Sequence, residues 1–230
     1  MQTVLITGAC GNLGRAVAST FAASGWSLVL LDRDQAQLTR IYGADTERQL
    51  SLPANLLEAS AVDAAVQQAL GQFGRIDVLC NLAGGFRMGE AVHETSDATW
   101  NFLMDLNVRS VLHTARAVVP AMLAAGGGRI VNVGAGAAGK GGAHMGAYAA
   151  AKSAVARLTE SMAAELREKG VHVNCVLPSI IDTPENRKDM PEADPSRWVS
   201  PQSLAGVIAF LASDAARDIH GASVPVTGLS

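Results

Sequence analysis

Cysteine is scarce in this chain: Cys10, Cys80 and Cys175 are the only three in 230 residues, and none belongs to a Cys-x-x-Cys pair. An odd, scattered set builds neither a disulfide framework nor a structural zinc site, and reads as small thiols in an apolar interior. The five histidines show no paired spacing of the His-Glu-x-x-His kind, so no metal site is expected. Aromatics are few at 4% and charged residues at 17%, while apolar residues reach 49%. Ala, Val and Leu supply most of that share, which suits tightly packed α/β layers and not a disordered chain. A net charge of −3 offers no broad attraction to nucleic acid or to an anionic membrane. No apolar run approaches the roughly 20 residues of a membrane span. The opening Met1-Gln2-Thr3-Val4 lacks the basic start and cleavage site of a signal peptide, so a cytoplasmic protein is expected.

What is present is alternation. Strand-like apolar runs fall at 4–6, 28–31, weakly near 49–51, then at 76–80, 130–133, 171–176 and 223–226. Helical patterns lie between them, over 13–24, after Asp34, and over 58–73, 99–125, 147–169 and 203–213. Seven strands with intervening helices predict an α/β fold, a single Rossmann-like doubly wound domain over 1–230. Its seven-stranded, mostly parallel sheet carries helices on both faces. Residues 179–200, rich in Pro and mixed charge, are too long for a plain connection and are expected to form a substrate loop.

Thr7-Gly8-Ala9-Cys10-Gly11-Asn12-Leu13-Gly14 follows the first strand and opens the first helix. Glycine spacing alone also describes an ordinary turn, and it is the strand before and the helix after that give it meaning. In that setting glycines let the backbone approach a pyrophosphate, whose charge meets the helix N-terminus. Gly8, Gly11, Asn12, Leu13 and Gly14 are therefore candidate cofactor residues. The second strand ends at Asp32, whose carboxylate can accept hydrogen bonds from the adenosine ribose of NAD. It would repel the 2′-phosphate of NADP, since like charges ~4 Å apart cost about 4 kcal/mol at an effective dielectric of roughly 20. Arg33 could turn toward such a phosphate, and Asp32 could serve only its turn. NAD(H) is favoured over NADP(H).

Tyr148-Ala149-Ala150-Ala151-Lys152 lies near the start of a predicted helix, with phenol and ammonium on one face. A nearby cation stabilises a phenolate, so Tyr148 is expected to be pulled from a pKa of about 10 toward working pH. It could then give or take the proton that accompanies hydride transfer. Alone, such a pair is usually a solvated helix face; the glycine loop upstream changes the reading.

Taken in order, these motifs resemble the short-chain dehydrogenase/reductase family over almost the whole chain. The glycine loop is followed by Asn81-Leu82-Ala83-Gly84, Asn107, Tyr148-x-x-x-Lys152, Asn174-x-x-x-Pro178 with Thr183, and a closing Val226-Thr227-Gly228. The resemblance implies that Tyr148 is the acid/base, and that Lys152 holds the nicotinamide ribose and tunes the tyrosine. It also implies that Asn107 anchors a water of the proton relay. Thr183 and the backbone near Ile181 and Pro178 would meet the carboxamide end, and Asn81, Ala83 and Gly84 would line the cofactor.

The sequence departs from the family in two places. The shorter-chain branch has glycine where Asn12 stands. Asn is, after Gly, the residue most at ease in left-handed geometry, so the loop is expected to keep its shape. The family's serine, thirteen residues before the tyrosine, is Ala135 here, and Gly134, Gly136 and Ala137 supply no hydroxyl. Losing one donor to developing charge costs about 2.7–4 kcal/mol, or roughly 10²–10³ in rate. Dihydropteridine reductases also lack this serine, and the chain resembles them in Ala83-Gly84-Gly85-Phe86 and in the loop from Asp182 to Asp194. That resemblance implies NADH-dependent reduction of a quinonoid dihydropterin, with Phe86, Ala135 and Trp198 at the substrate.

Two other readings stay open at this level. One is a ketone reductase or alcohol dehydrogenase in which another group, with His144 the nearest donor by sequence, replaces the serine. The other is a dinucleotide-sensing module without catalysis. Apolar residues on the 99–125 helix and small ones on the 147–169 helix suit a homodimer or homotetramer, although packing on the chain's own sheet accounts for most of them.

Overall fold

Apolar runs in this chain bury side chains on both faces of a sheet, and successive residues take opposite sides. The computed structural model describes residues 2–230. Its strands are β1 (Thr3–Thr7), β2 (Ser27–Asp32), β3 (Gln49–Pro53), β4 (Val78–Asn81), β5 (Gly128–Val133), β6 (Val171–Pro178) and β7 (Ser223–Val226). They form one sheet in the order β3-β2-β1-β4-β5-β6-β7, with every neighbouring pair parallel. The helices are α1 (Asn12–Ala23), α2 (Gln35–Tyr42), α3 (Ala59–Phe73), α4 (Asp97–Met104), α5 (Ser110–Ala124), α6 (Gly146–Leu166), α7 (Pro184–Asp189) and α8 (Pro201–Leu211).

Val4, Ile6, Leu28 and Leu30 pack with Val17 and Phe21 of α1, Leu38 of α2 and Leu204 and Ile208 of α8. Leu5, Val29 and Leu31 point the other way, into a layer with Val66 of α3, Val118 and Met122 of α5 and Leu166 of α6. Leu5, Ile6, Leu30 and Leu31 are all fully buried, each contributing about 1.5–3 kcal/mol of transfer free energy. This is the doubly wound arrangement expected from the alternation.

Three local differences matter. β4 begins two residues later than expected and takes in Asn81, while β6 runs on to Pro178. The single helix expected over 99–125 is divided into α4 and α5 by a π-helical segment, Asp105–Arg109. A π-turn adds one residue to the helical circuit and is often found where a side chain must be re-aimed; Asn107 lies within it. Residues 179–200 are more ordered than a plain loop, since they hold α7 and a short 3₁₀ turn, Pro195–Arg197, and are closed by a bridge between Ile181 and Val199. No described helix is long and apolar enough to cross a membrane.

Candidate active site

The strand order reverses between β1 and β4, which opens a crevice at their C-terminal ends. The glycine loop leaves β1 there. Gly8 has φ +64°, and a Cβ added to it would stand 3.0 Å from the Ala83 backbone, so both conformation and space demand glycine. Gly14 is tighter: its added Cβ would lie 2.2 Å from the Gly8 carbonyl oxygen. The left-handed geometry expected of Asn12 is not used. Among the described residues His144 is the only non-glycine with positive φ, and Asn12 simply opens α1. The loop tolerates asparagine because that position is helical and its side chain points outward, where Nδ2 donates to Glu185 Oε2 at 2.9 Å.

The start of α1 has no side-chain cap and no acidic residue in its first turn. By contrast, Asp34 caps α2 by accepting from the Ala36 and Gln37 N–H groups. Uncapped N–H groups beside a glycine cradle suit a pyrophosphate, so the loop fits a dinucleotide. Leu13, next to Asn12, packs against the core beneath α1. Asp32 accepts from the Cys10 N–H through Oδ2 at 2.9 Å and from the Arg33 N–H through Oδ1 at 2.7 Å. The carboxylate is thereby fixed at the loop's edge, with lone pairs left for a ribose hydroxyl.

Tyr148 and Lys152 lie one turn apart on α6. Lys152 is buried, and its ammonium donates to the Val133 carbonyl at 2.9 Å. Asn107, also buried, donates through Nδ2 to the carbonyls of Leu103 and Gly85 at 3.0 Å, and its Oδ1 accepts from the Gly85 N–H at 3.2 Å. A Cβ added to Gly84 would lie 2.8 Å from Asn107 Oδ1 and 3.2 Å from Lys152 Nζ. Phe86 meets the Tyr148 ring edge to face, with centroids 4.9 Å apart. Three segments distant in sequence thus converge on one point.

Ala135, just past β5, is extended and nearly buried. The Ser153 hydroxyl on α6 does not replace the missing serine, because it donates to the Ala138 carbonyl at 2.9 Å. Beyond Pro178, the Ile181 carbonyl accepts from Asn186 Nδ2 at 2.8 Å, and Thr183 caps α7 by accepting from the Asn186 N–H. Trp198 is only 8% exposed and lies beneath the C-terminal turn around Gly228, not out in the open loop. Among the described residues no group of three or more His, Cys, Asp or Glu side chains is placed to hold a metal ion.

Residues 2–194 match the short chain dehydrogenase family. The chain belongs to that family. It is 34% identical to the (2S)-[(R)-hydroxy(phenyl)methyl]succinyl-CoA dehydrogenase subunit BbsD of Thauera aromatica, over 99% of this chain and 95% of that protein. It is 31% identical to the 3-oxoacyl-[acyl-carrier-protein] reductase FabG of Escherichia coli, over 99% and 96%. Among solved structures, a 3-ketoacyl-(acyl-carrier-protein) reductase from Brucella melitensis complexed with NADH is similar with a TM-score of 0.88 and 30% identity, over 99% of this chain and 97% of that one. A xylitol dehydrogenase with bound NAD⁺ gives 0.90 and 27%, over 99% and 98%. The chain is an oxidoreductase of the short-chain dehydrogenase kind.

In this short-chain dehydrogenase several supporting residues escape sequence reasoning. The Thr7 hydroxyl accepts from the Leu82 and Ala83 N–H groups at 3.0 and 3.1 Å, stitching the glycine loop to the segment after β4. Tyr42 donates to the Ala9 carbonyl at 2.6 Å. A buried polar ladder crosses the sheet layers: Thr114 donates to Asn81 Oδ1, Asn81 Nδ2 to Asn132 Oδ1, and Asn132 Nδ2 to the Thr159 hydroxyl, at 2.8, 2.9 and 2.8 Å. It ties α5, β4, β5 and α6 together, and so fixes the register of the helix that carries Tyr148 and Lys152. Asn81 therefore acts on the site through its neighbours. Two asparagines at the same level of adjacent strands were the available signal; Tyr42 offered none.

The electrostatics of the dehydrogenase reverse one expectation. Tyr148 is not pulled down toward neutrality: burial pushes its phenol up to about 12. The Lys152 ammonium stands 6.0 Å from the ring centroid and gives its hydrogen bond to a carbonyl instead. Desolvation of the phenolate therefore outweighs the cation. Lys152 itself is lowered by burial to about 8.

Proposed function

We propose that this chain transfers hydride between NAD(H) and a small organic acceptor, with Tyr148 exchanging the proton. The observation that carries this reading is the meeting of Gly84, Asn107 and Lys152 beside Tyr148, at the end of the crevice that the glycine loop begins. A bound nicotinamide cofactor supplies or accepts the hydride. Tyr148, kept protonated by burial, is prepared to donate from its hydroxyl to the acceptor during reduction. Lys152 holds the nicotinamide ribose, and Asn107 holds the loop at Gly85 and a water of the relay. Gly8, Gly11, Asn12, Leu13 and Gly14 cradle the pyrophosphate, and Asp32 takes the adenosine ribose, which favours NADH over NADPH. Ala83, Gly84, Pro178, Ile181 and Thr183 complete the cofactor wall, which Asn81 supports through the buried polar ladder.

Ala135 points to the acceptor. With no hydroxyl there, a simple ketone lacks a second donor, whereas a quinonoid acceptor of the dihydropterin kind gains its driving force from restoring a stable ring system. Phe86 and Ala135 bound that acceptor, and Trp198, buried beneath the C-terminal turn, backs the substrate loop. We further assign the chain to the cytoplasm as a homodimer or homotetramer, for which exposed Trp100, Leu112 and Leu123 on α4 and α5 offer apolar contact.

The test is a steady-state assay of the purified protein with NADH or NADPH against freshly generated quinonoid dihydropterin and a panel of ketones, aldehydes and quinones. NADH with the pterin should give the highest turnover. Tyr148→Phe should lower it about 10²–10⁴-fold while NADH binding survives. Efficient ketone reduction with an inert pterin overturns the acceptor assignment. NADH binding with no turnover of any acceptor overturns the enzymatic reading in favour of a redox sensor.

A further inference from the structure

Arg87 carries a charge that no ion pair or hydrogen bond among the described residues engages, although the nearby Glu90 carboxylate feels it. It follows Phe86 in the segment after β4, is exposed, and sets its guanidinium carbon 3.8 Å from the centroid of the Phe102 ring. Phe102 is half-buried and closely seated, since a Cβ added to Gly85 would stand 2.9 Å from its ring. Stacking on a fixed ring places the cation without consuming its N–H donors. Among the described residues Arg87 makes no ion pair and no hydrogen bond. The acid beside it, Glu90, is engaged elsewhere, accepting from the Ser96 N–H, the Ser96 hydroxyl and the Thr99 hydroxyl at 3.1 Å each.

The surroundings give that free cation a context. Arg87, Met88, Glu90, Thr99, His144 and Ala147 line one hollow, and Ala147 is the neighbour of Tyr148 on α6. The Gly89 N–H donates to the His144 carbonyl at 2.9 Å, which ties the two walls together. Phe86 and Met88 flank Arg87 and are more than half exposed, at 55% and 58%. The hollow thus offers apolar surface, one guanidinium stacked on a ring and the engaged Glu90 carboxylate, and Tyr148 follows its wall residue Ala147 along α6.

We propose that Arg87 is a specificity-determining residue that binds a carboxylate on the acceptor, so that the substrate is an acidic molecule with an apolar or planar body. The inference rests on the oxidoreductase reading of the same site and deepens it. A guanidinium fork matches a carboxylate with two parallel hydrogen bonds, a geometry that suits recognition of a substituent. Glu90 weakens the field in the hollow without occupying the fork.

Equilibrium binding of benzoylpropionate and of its primary amide to the NADH-loaded protein tests this directly, because the two probes differ only in charge. The carboxylate should bind about tenfold more tightly than the amide. Arg87→Gln should remove that preference, Arg87→Lys should keep part of it, and NADH affinity should be unchanged in both variants. Equal affinity for the two probes, including no binding of either, overturns the inference, as does a preference that survives Arg87→Gln. Failure of both NADH and NADPH to bind the unmodified protein is a separate outcome, and it removes the proposed function together with this inference.

Discussion

The two halves of the crevice, the glycine loop assigned to the cofactor and the segment after β4 assigned to the substrate, are built by different means. Around Gly8, Gly11 and Gly14 the close contacts are backbone against backbone: a Cβ on Gly14 would meet the Gly8 carbonyl at 2.2 Å and Ala9 at 2.8 Å. Around Gly85, across the crevice, the corresponding contacts are the tips of Leu106 and Phe102 side chains at 2.8 and 2.9 Å. The first half is rigid because nothing in it can rotate away. The second owes its shape to how side chains such as Phe86, Phe102 and Leu106 pack. A family that keeps a nicotinamide cofactor and varies its substrates suits that division.

Matched alanine substitutions sharpen the comparison. Gly14→Ala should destabilise the protein by about 1–3 kcal/mol and weaken NADH binding at least tenfold, because only a backbone shift can relieve the clash. Gly85→Ala, met by rotatable side chains, should cost less in both respects. Thermal unfolding and NADH titration of the pair decide the matter, and equal losses would erase the distinction between the halves.

A smaller effect is expected at the outer edge of the cofactor half. Asp32→Ala should narrow the NADH-over-NADPH preference by about tenfold, since it removes a charge that a 2′-phosphate would face. Calorimetry showing tighter NADPH binding to the unmodified protein would instead give Arg33 the dominant role.

The mildest test concerns the hinge between the halves. Lys152, lowered by burial to about 8, should lose its proton as pH rises through that value, while Tyr148, pushed up to about 12, stays protonated. Reductive kcat/KM should therefore fall above pH 8 on the alkaline side. The stability consequence has the opposite sign. A lysine whose folded pKa is depressed opposes folding most fully below about 8, and that opposition fades as pH climbs toward the unfolded value of 10.5. A kcat/KM profile flat to pH 10 would show that the Lys152 charge is not needed.

How much of this was readable beforehand varies by region. The glycine loop, Asp32, Tyr148 and Lys152 were legible because each is a local pattern attached to a strand end or a helix turn. The division of the 99–125 helix was not, since nothing in its apolar spacing distinguishes an α-turn from the π-turn at Asn107. Asn12 is tolerated in the loop, but not for the left-handed geometry expected of it, since it opens α1 as a helical residue. Lowering of the Tyr148 pKa also failed as an expectation, because spacing along a helix says nothing about how dry the phenol becomes.

By itself, then, the amino-acid order determined the alternation of strands and helices, the parallel sheet, and which residues are candidates for chemistry. These follow from periodicity and from groups only a few positions apart. The tertiary structure alone decided that Gly84, Asn107 and Lys152 share one point, that the Thr114–Asn81–Asn132–Thr159 ladder sets the register of α6, and that Arg87 rests on Phe102 with its donors free. Each of those relations joins residues brought together by chain crossings and by desolvation. Both are properties of the packed layers, and no local pattern along the chain encodes them.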